Sequence, residues 1–104
     1  MSDAAEPGPR AREPGHAERA RAVVEHESAG TLATLSRRHP GHPFASLMPY
    51  ALDGAGRPLM LVSALAVHTQ NLEADPRASL LVTARHDGGE PLAGARVTLL
   101  GSAV

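Results

Sequence analysis

The 104-residue sequence contains no cysteine, no lysine and no tryptophan, and it has one phenylalanine and one tyrosine. Without cysteine, the chain can form neither disulfides nor thiolate metal sites, and it has no cysteine nucleophile. Without lysine, every cationic role falls to arginine or histidine. Because large aromatic side chains are nearly absent, branched aliphatic residues must fill the core, which favours strands packed in a small barrel or sandwich.

The sequence also lacks an excess of charge and long apolar runs. Ten basic residues nearly balance eleven acidic ones, which leaves a formal net charge of -1. This balance argues against a general nucleic-acid-binding or membrane-binding surface. No signal peptide is visible, and no stretch approaches the ~20 apolar residues of a membrane span. These absences predict one small cytoplasmic domain with no nucleic-acid or membrane partner.

The residues that are present divide the chain into a lead-in and a domain. Residues 1–15 are rich in proline, glycine and charge, and we predict that they are disordered. Residues 16–104 carry regular apolar patterns and are predicted to form the domain. Alanines and valines share one stripe over residues 16–29, which predicts a helix that stops at Gly30.

Five strand-like segments follow the helix, and short turn-rich connectors separate most of them. Such regular punctuation is typical of antiparallel barrels and sandwiches. Pro49 predicts that the second strand is an edge or bulged strand. We therefore predict one mainly antiparallel sheet, curled toward a barrel, with the helix packed at one end. The predicted strands are residues 31–35, 44–52, 58–64, 78–85 and 95–103, with a hairpin loop at 53–57, a short helical turn at 68–76 and a loop at 86–94.

Three segments resemble the pyridoxamine 5'-phosphate oxidase superfamily of FMN-binding split barrels, most closely its heme-utilisation and CREG-like branch. They are residues 30–61, residues 63–82 with the run HTQNLEADPRASLL, and residues 95–103. The likeness covers about residues 16–104. It implies an antiparallel split β-barrel that forms a homodimer, with FMN held at the subunit interface.

For function, the resemblance implies an FMN-binding protein, a flavin-dependent oxidoreductase whose substrate and redox partner are unknown. Two alternatives stay open: a heme-utilisation protein that binds heme, and a degenerate, non-catalytic dimerisation module. Carried over by position, the residues implied to bind the cofactor are Ser46, Leu47, Ser63, His68, Thr69 and Arg96.

The match to the superfamily is incomplete in two respects. Pyridoxamine oxidases place an arginine and a lysine on the second strand, where this chain has Ala45 or Ser46 and Tyr50. We therefore do not expect pyridoxamine oxidase activity. The chain also ends on the match to the family's fifth strand. We accordingly expect a truncated split barrel without the sixth strand and the C-terminal helix, which dimerises or aggregates and binds flavin weakly.

On chemical grounds, His68 and Thr69 are the strongest cofactor-binding candidates. A helix N-terminus offers free backbone N–H groups and the positive end of a dipole, which suits a phosphate. The imidazole adds charge when protonated, and the hydroxyl adds a donor. The alternative is that Thr69 or Ser63 simply caps the turn. Arg96 is likewise either a cofactor contact or an outward-facing strand residue.

The remaining polar residues have simpler interpretations. Arg77 is predicted to form a surface ion pair with Asp75 or Glu73 rather than to bind phosphate. The spacing of His39 and His42 suits a metal ion, but no cysteine or acidic cluster completes a ligand set, so we interpret both as turn residues. No nucleophile elbow or glycine-rich phosphate loop is present. We therefore predict no catalytic residue, and any redox chemistry belongs to a bound cofactor.

Overall fold

The computed structural model describes residues 13, 15–85 and 94–104. Except for Glu13 and Gly15, the predicted lead-in lies outside these residues, as does the predicted loop at 86–94 except for Gly94. In chain order the elements are α1 (His16–His26), β1 (Ala29–Leu35), β2 (Pro43–Pro49), β3 (Ala51–Leu52), β4 (Pro58–Leu59), α2 (Val67–Ala74), β5 (Arg77–Thr83) and β6 (Arg96–Ser102).

The main sheet has four antiparallel strands in the order β2-β1-β5-β6. The short strands β3 and β4 pair only with each other in the described part of the chain. The predicted fold class, mainly antiparallel β with an N-terminal helix, is confirmed. The prediction of one sheet is wrong, because the chain leaves the main sheet after Pro49. Within residues 15–85 and 94–104 the main sheet is not closed, and β2 is an edge strand, as its proline predicted.

One face of the main sheet forms the core. Residues directly opposite each other on paired strands point to the same face. Leu32 lies opposite Ser46 on one side and Leu80 on the other, and Leu80 lies opposite Leu99, which defines an inner face. Helix α1 contacts β5 and β6. The buried apolar residues are Val24, Leu32, Met48, Tyr50, Leu80 and Val82.

Helix α1 is shorter than its apolar stripe predicted. It starts after Gly15, whose N–H donates to the Glu18 carboxylate at 3.0 Å. It ends at His26, and Gly30 is not its stop but a buried residue of β1. A Cβ on Gly30 would lie 2.8 Å from the Leu81 carbonyl oxygen. The glycine therefore allows two strands to approach closely.

The second and third predicted strands differ most from the structure. The chain turns at Tyr50, whose N–H donates to the Ser28 carbonyl at 2.9 Å, so the predicted strand 44–52 is divided in two. The predicted strand 58–64 ends at Leu59. Apolar composition alone does not make a strand, because its backbone also needs a hydrogen-bonding partner. Among the described residues, no strand pairs with residues 60–64.

Asp53 holds the hairpin between β3 and β4, as the sequence predicted. Its carboxylate accepts hydrogen bonds from the N–H groups of Ala55, at 2.9 Å, and Arg57, at 2.8 Å. Gly56 has a φ of 83°, a left-handed conformation that favours glycine. Hydrogen bonds from Arg57, first from its backbone, hold the pKa of Asp53 below its usual value despite some desolvation.

Candidate cofactor site at the start of helix α2

Helix α2 begins without a side-chain cap. Its N-cap is Ala66, which has no polar side-chain atom, so the first N–H groups of the helix receive no side-chain acceptor from it. His68 and Thr69 lie in this first turn. Both candidates therefore lie where free backbone N–H groups and the positive end of a helix dipole meet.

Two side-chain atoms in this turn are buried without a hydrogen-bond partner. They are His68 Nε2 and Thr69 Oγ1, and they are the only such atoms among the described residues. A buried, unpaired polar atom costs about 1–3 kcal/mol. Such groups call for an explanation, and a missing ligand is one. Because both atoms are shielded from solvent, they contact a ligand only if it enters the surface here or if the side chains turn outward.

The interpretation of Thr69 or Ser63 as a helix cap is not supported. Thr69 Oγ1 accepts no hydrogen bond. Ser63 Oγ accepts one from the Leu65 N–H at 3.2 Å, and the Ser63 carbonyl accepts one from the Ala66 N–H at 3.1 Å. Ser63 therefore stabilises the turn before α2, with its side chain exposed.

Asn71 anchors α2 to the main sheet. It is 1% exposed, and its Nδ2 donates to Thr34 Oγ1 at 3.0 Å while its Oδ1 accepts from the Arg37 N–H at 2.9 Å. The Thr34 hydroxyl in turn donates to the Phe44 carbonyl at 3.4 Å. In the sequence, Asn71 stands out only as part of the run HTQNLEADPRASLL. Its role depends on residues more than 30 positions away, so no local pattern revealed it.

The other three predicted cofactor residues lie on strands β2 and β6 of the main sheet, and only Ser46 is on its inner face. Ser46 is half-buried on the inner face of β2, whereas its neighbour Leu47 points to the outer face and is 77% exposed. Arg96 begins β6, opposite Thr83, on the same outer face as Leu47. Since two strands lie between β2 and β6, Leu47 and Arg96 are more than about 14 Å apart.

The predicted ion pair of Arg77 is confirmed. Its Nη2 lies 2.7 Å from Asp75 Oδ2; the Arg77 side chain is largely solvent-accessible, and that of Asp75 is half-buried. Hydrogen bonds from the Arg77 side chain, then from its backbone, lower the pKa of Asp75 to about 2. The same side-chain contact raises the pKa of Arg77. Arg77 is therefore engaged by its neighbour rather than directed at α2.

Sequence reasoning missed an apolar surface beside the start of α2. Leu61 is 96% exposed and Leu65 is 86% exposed, and Val62 between them is also exposed. The sequence predicts residues 58–64 as a strand. The sequence does carry an indication of this surface. In residues 59–65, apolar residues occur at odd and even positions alike. In a strand these positions face opposite sides, so the residues could not all face one core.

Comparison with known proteins places the fold in a family. The sequence profile described as CREG, beta-barrel matches residues 11–103. The chain belongs to the CREG β-barrel family. This agrees at a coarse level with the split-barrel resemblance. In the described part of the chain, no helix is long and apolar enough to span a membrane.

Relatives of this CREG-family chain include proteins named for heme. The non-canonical heme oxygenase HOZ of Arabidopsis thaliana chloroplasts is 42% identical over 87 residues, which are 84% of this chain and 26% of that protein. A heme binding protein from Mycobacterium smegmatis is 44% identical with a TM-score of 0.81, covering 88% of this chain and 37% of that one. HutZ, the heme storage protein of Vibrio cholerae, shares the fold, with 24% identity and a TM-score of 0.64, covering 78% of this chain and 56% of that one.

Proposed function

We propose that this chain is a heme-binding protein of the CREG β-barrel family. The observation that carries the proposal is the 44% identity to a heme binding protein over 88% of the chain. The 42% identity to a heme oxygenase supports it. The chain spans 37% and 26% of the length of these two proteins, so the proposal is limited to heme binding.

The residues at the start of α2 fit the acidic edge of heme. Heme carries two propionate carboxylates, and an uncapped helix N-terminus is suited to an anion. His68 Nε2 and Thr69 Oγ1 are unpaired and can each donate a hydrogen bond to a carboxylate, Nε2 when it is protonated. We propose that these two side chains hold a propionate.

The surface next to this turn fits the apolar macrocycle. Leu61, Val62 and Leu65 are exposed and immediately precede α2 in the chain. Covering exposed apolar surface is worth roughly 25 cal/mol per Å². These side chains would cover the ring, while His68 and Thr69 would hold a propionate. The bound heme supplies the redox-active iron, and the chain supplies binding and orientation.

The main competing function is FMN binding at the same place. A flavin phosphate needs the same hydrogen-bond donors as a propionate, so the unpaired atoms of His68 and Thr69 favour it equally. The names of the relatives favour heme. An FMN-dependent oxidoreductase is therefore our second candidate, with its substrate left open.

Absorbance spectroscopy tests the two candidates against each other. We expect protein purified without added cofactor, or titrated with hemin, to show a protein-dependent shift of the Soret band, and FMN to bind more weakly. Flavin absorbance in the purified protein without a Soret response to hemin would refute heme binding and support FMN. No spectral response to either ligand would refute both candidates and favour the non-catalytic dimerisation module.

A double variant tests the placement of the ligand. We expect His68→Leu with Thr69→Val to weaken hemin binding by about tenfold or more, because the loss of even one hydrogen bond to a charged group costs about 1.5 kcal/mol. The folded state should be no less stable, because replacing unpaired buried polar atoms with apolar atoms of similar shape is nearly neutral. The control is His26→Leu, which removes an exposed histidine in the last turn of α1. Equal loss in both variants would refute the placement.

We also propose that the chain forms a homodimer through the outer face of the main sheet. Leu47 and Leu100 are 77% and 83% exposed there, and Leu81 is also exposed. The split-barrel resemblance implies a dimer, and an apolar face of this kind favours association. Light scattering should give a dimer mass, and Leu47→Asp with Leu100→Asp should give a monomer. A monomeric parent protein would refute the proposal.

A further inference from the structure

His39 and His42 lie at the two ends of a rigid turn between β1 and β2. The His42 N–H donates to the His39 carbonyl at 3.1 Å, and Gly41 has a φ of 90°. Proline at the second position and a positive-φ glycine at the third are the signature of a type II turn. Such a turn holds its first and fourth residues within about 7 Å of each other, measured between Cα atoms.

Further hydrogen bonds tie this turn to the end of β1. The Ser36 N–H donates to the His42 carbonyl at 2.8 Å, and the His39 N–H donates to Ser36 Oγ at 2.9 Å. Pro40 within the turn and Pro43 directly after it restrict the backbone further. None of these bonds uses an imidazole nitrogen. The backbone is therefore fixed while both histidine rings keep their donor atoms for other partners.

His39 and His42 line one small pocket that is open to solvent. It has a volume of about 280 Å³ and is lined by Ser36, His39, His42, Pro43 and Phe44. Pockets for drug-sized ligands usually measure about 300–1,000 Å³, so this one suits an ion with a few small ligands rather than a macrocycle. Both histidines are exposed, so an ion reaches them from solvent.

We propose that His39 and His42 form a chelating site for a divalent transition metal ion. Imidazole nitrogen is a good ligand for copper, nickel and zinc, and for one donor set Cu²⁺ binds most tightly. Among the described residues, no group of three or more histidines and carboxylates can hold a metal. The site therefore supplies two ligands, and water or a small exogenous ligand completes the coordination. The site does not depend on heme binding at α2.

Calorimetric titration of the whole chain with Cu²⁺ and with Zn²⁺ tests the proposal. We expect one Cu²⁺ per chain, bound more tightly than Zn²⁺. His39→Ala and His42→Ala should each weaken Cu²⁺ binding by about tenfold or more, because one imidazole alone loses the gain from two linked ligands. His16→Ala and His26→Ala are the controls, since both histidines are exposed on α1.

Electron paramagnetic resonance provides a second measurement on the same complexes. Two equivalent nitrogen ligands should be seen with the parent protein and one with either single variant. Circular dichroism should be unchanged in both variants, because the hydrogen bonds of the turn involve backbone atoms and Ser36. Equal Cu²⁺ affinity in the parent and in both variants would overturn the proposal, as would an equal loss in the α1 controls.

Discussion

Replacing Tyr50 with phenylalanine tests how α1 is held against the sheet. The Tyr50 hydroxyl donates to the Val24 carbonyl at 2.6 Å, and Tyr50 is 8% exposed. Val24 is in the last turn of α1, where the backbone carbonyl groups receive no hydrogen bond from an N–H group of the helix. The phenylalanine ring keeps the packing and removes only this hydrogen bond. The variant therefore isolates the contribution of one hydroxyl to stability.

The expected loss is about 1–2 kcal/mol, because a buried carbonyl is left without its donor. For a domain of 60–100 residues, each 1 kcal/mol lowers Tm by about 4–8 °C. Thermal and urea unfolding followed by circular dichroism measure the change, and the urea dependence of the unfolding free energy should stay the same. The control is Thr98→Val, which removes an exposed hydroxyl and should change stability by less than about 0.5 kcal/mol. Equal Tm values for Tyr50→Phe and the parent would refute the reasoning.

The same hydroxyl makes an alkaline titration informative. Burial, and next the charge of Glu27, raise the pKa of Tyr50 above its ordinary value of 10.0. Since the folded state disfavours the ionised phenol, this contribution to stability is complete below pH 10 and is lost as the pH rises through the folded-state pKa. Tyr50 is the only tyrosine, so tyrosinate absorbance reports on it alone. Glu27→Gln should lower the pKa, and an unchanged titration would contradict the charge contribution.

Two further substitutions test the sheet and the anchor of α2. Gly30→Ala should destabilise the fold by about 1–3 kcal/mol, because the new Cβ would lie 2.8 Å from a backbone oxygen. Gly101→Ala is the control, since no atom lies within 4 Å of a Cβ placed there. Equal unfolding midpoints for the two variants would contradict this reasoning. Asn71→Ala should cost about 2–4 kcal/mol, since it removes two hydrogen bonds of a buried side chain. Hydrogen exchange should then show faster exchange of the Arg37 amide, and full protection there would contradict the anchoring role.

The elements of this protein were largely predictable from local patterns. The apolar stripe predicted α1, and turn residues correctly located the hairpin at 53–57. The run HTQNLEADPRASLL indicated both α2 and the family. These features depend on neighbours within a few positions, so the amino-acid order alone carries them. The end of α1 was misplaced because Gly30 is required by a strand about 50 residues away.

Some features of the candidate site were likewise predictable from the sequence, and others were not. The sequence by itself determined that His68 and Thr69 begin a helix, since helix periodicity and the position of the following Asp75-Pro76 are local. Only the tertiary structure decided that their polar atoms are buried without partners and that Leu47 and Arg96 lie elsewhere. Burial and strand order depend on contacts between distant parts of the chain. A strand also requires a partner for its backbone, which no apolar run can supply for itself.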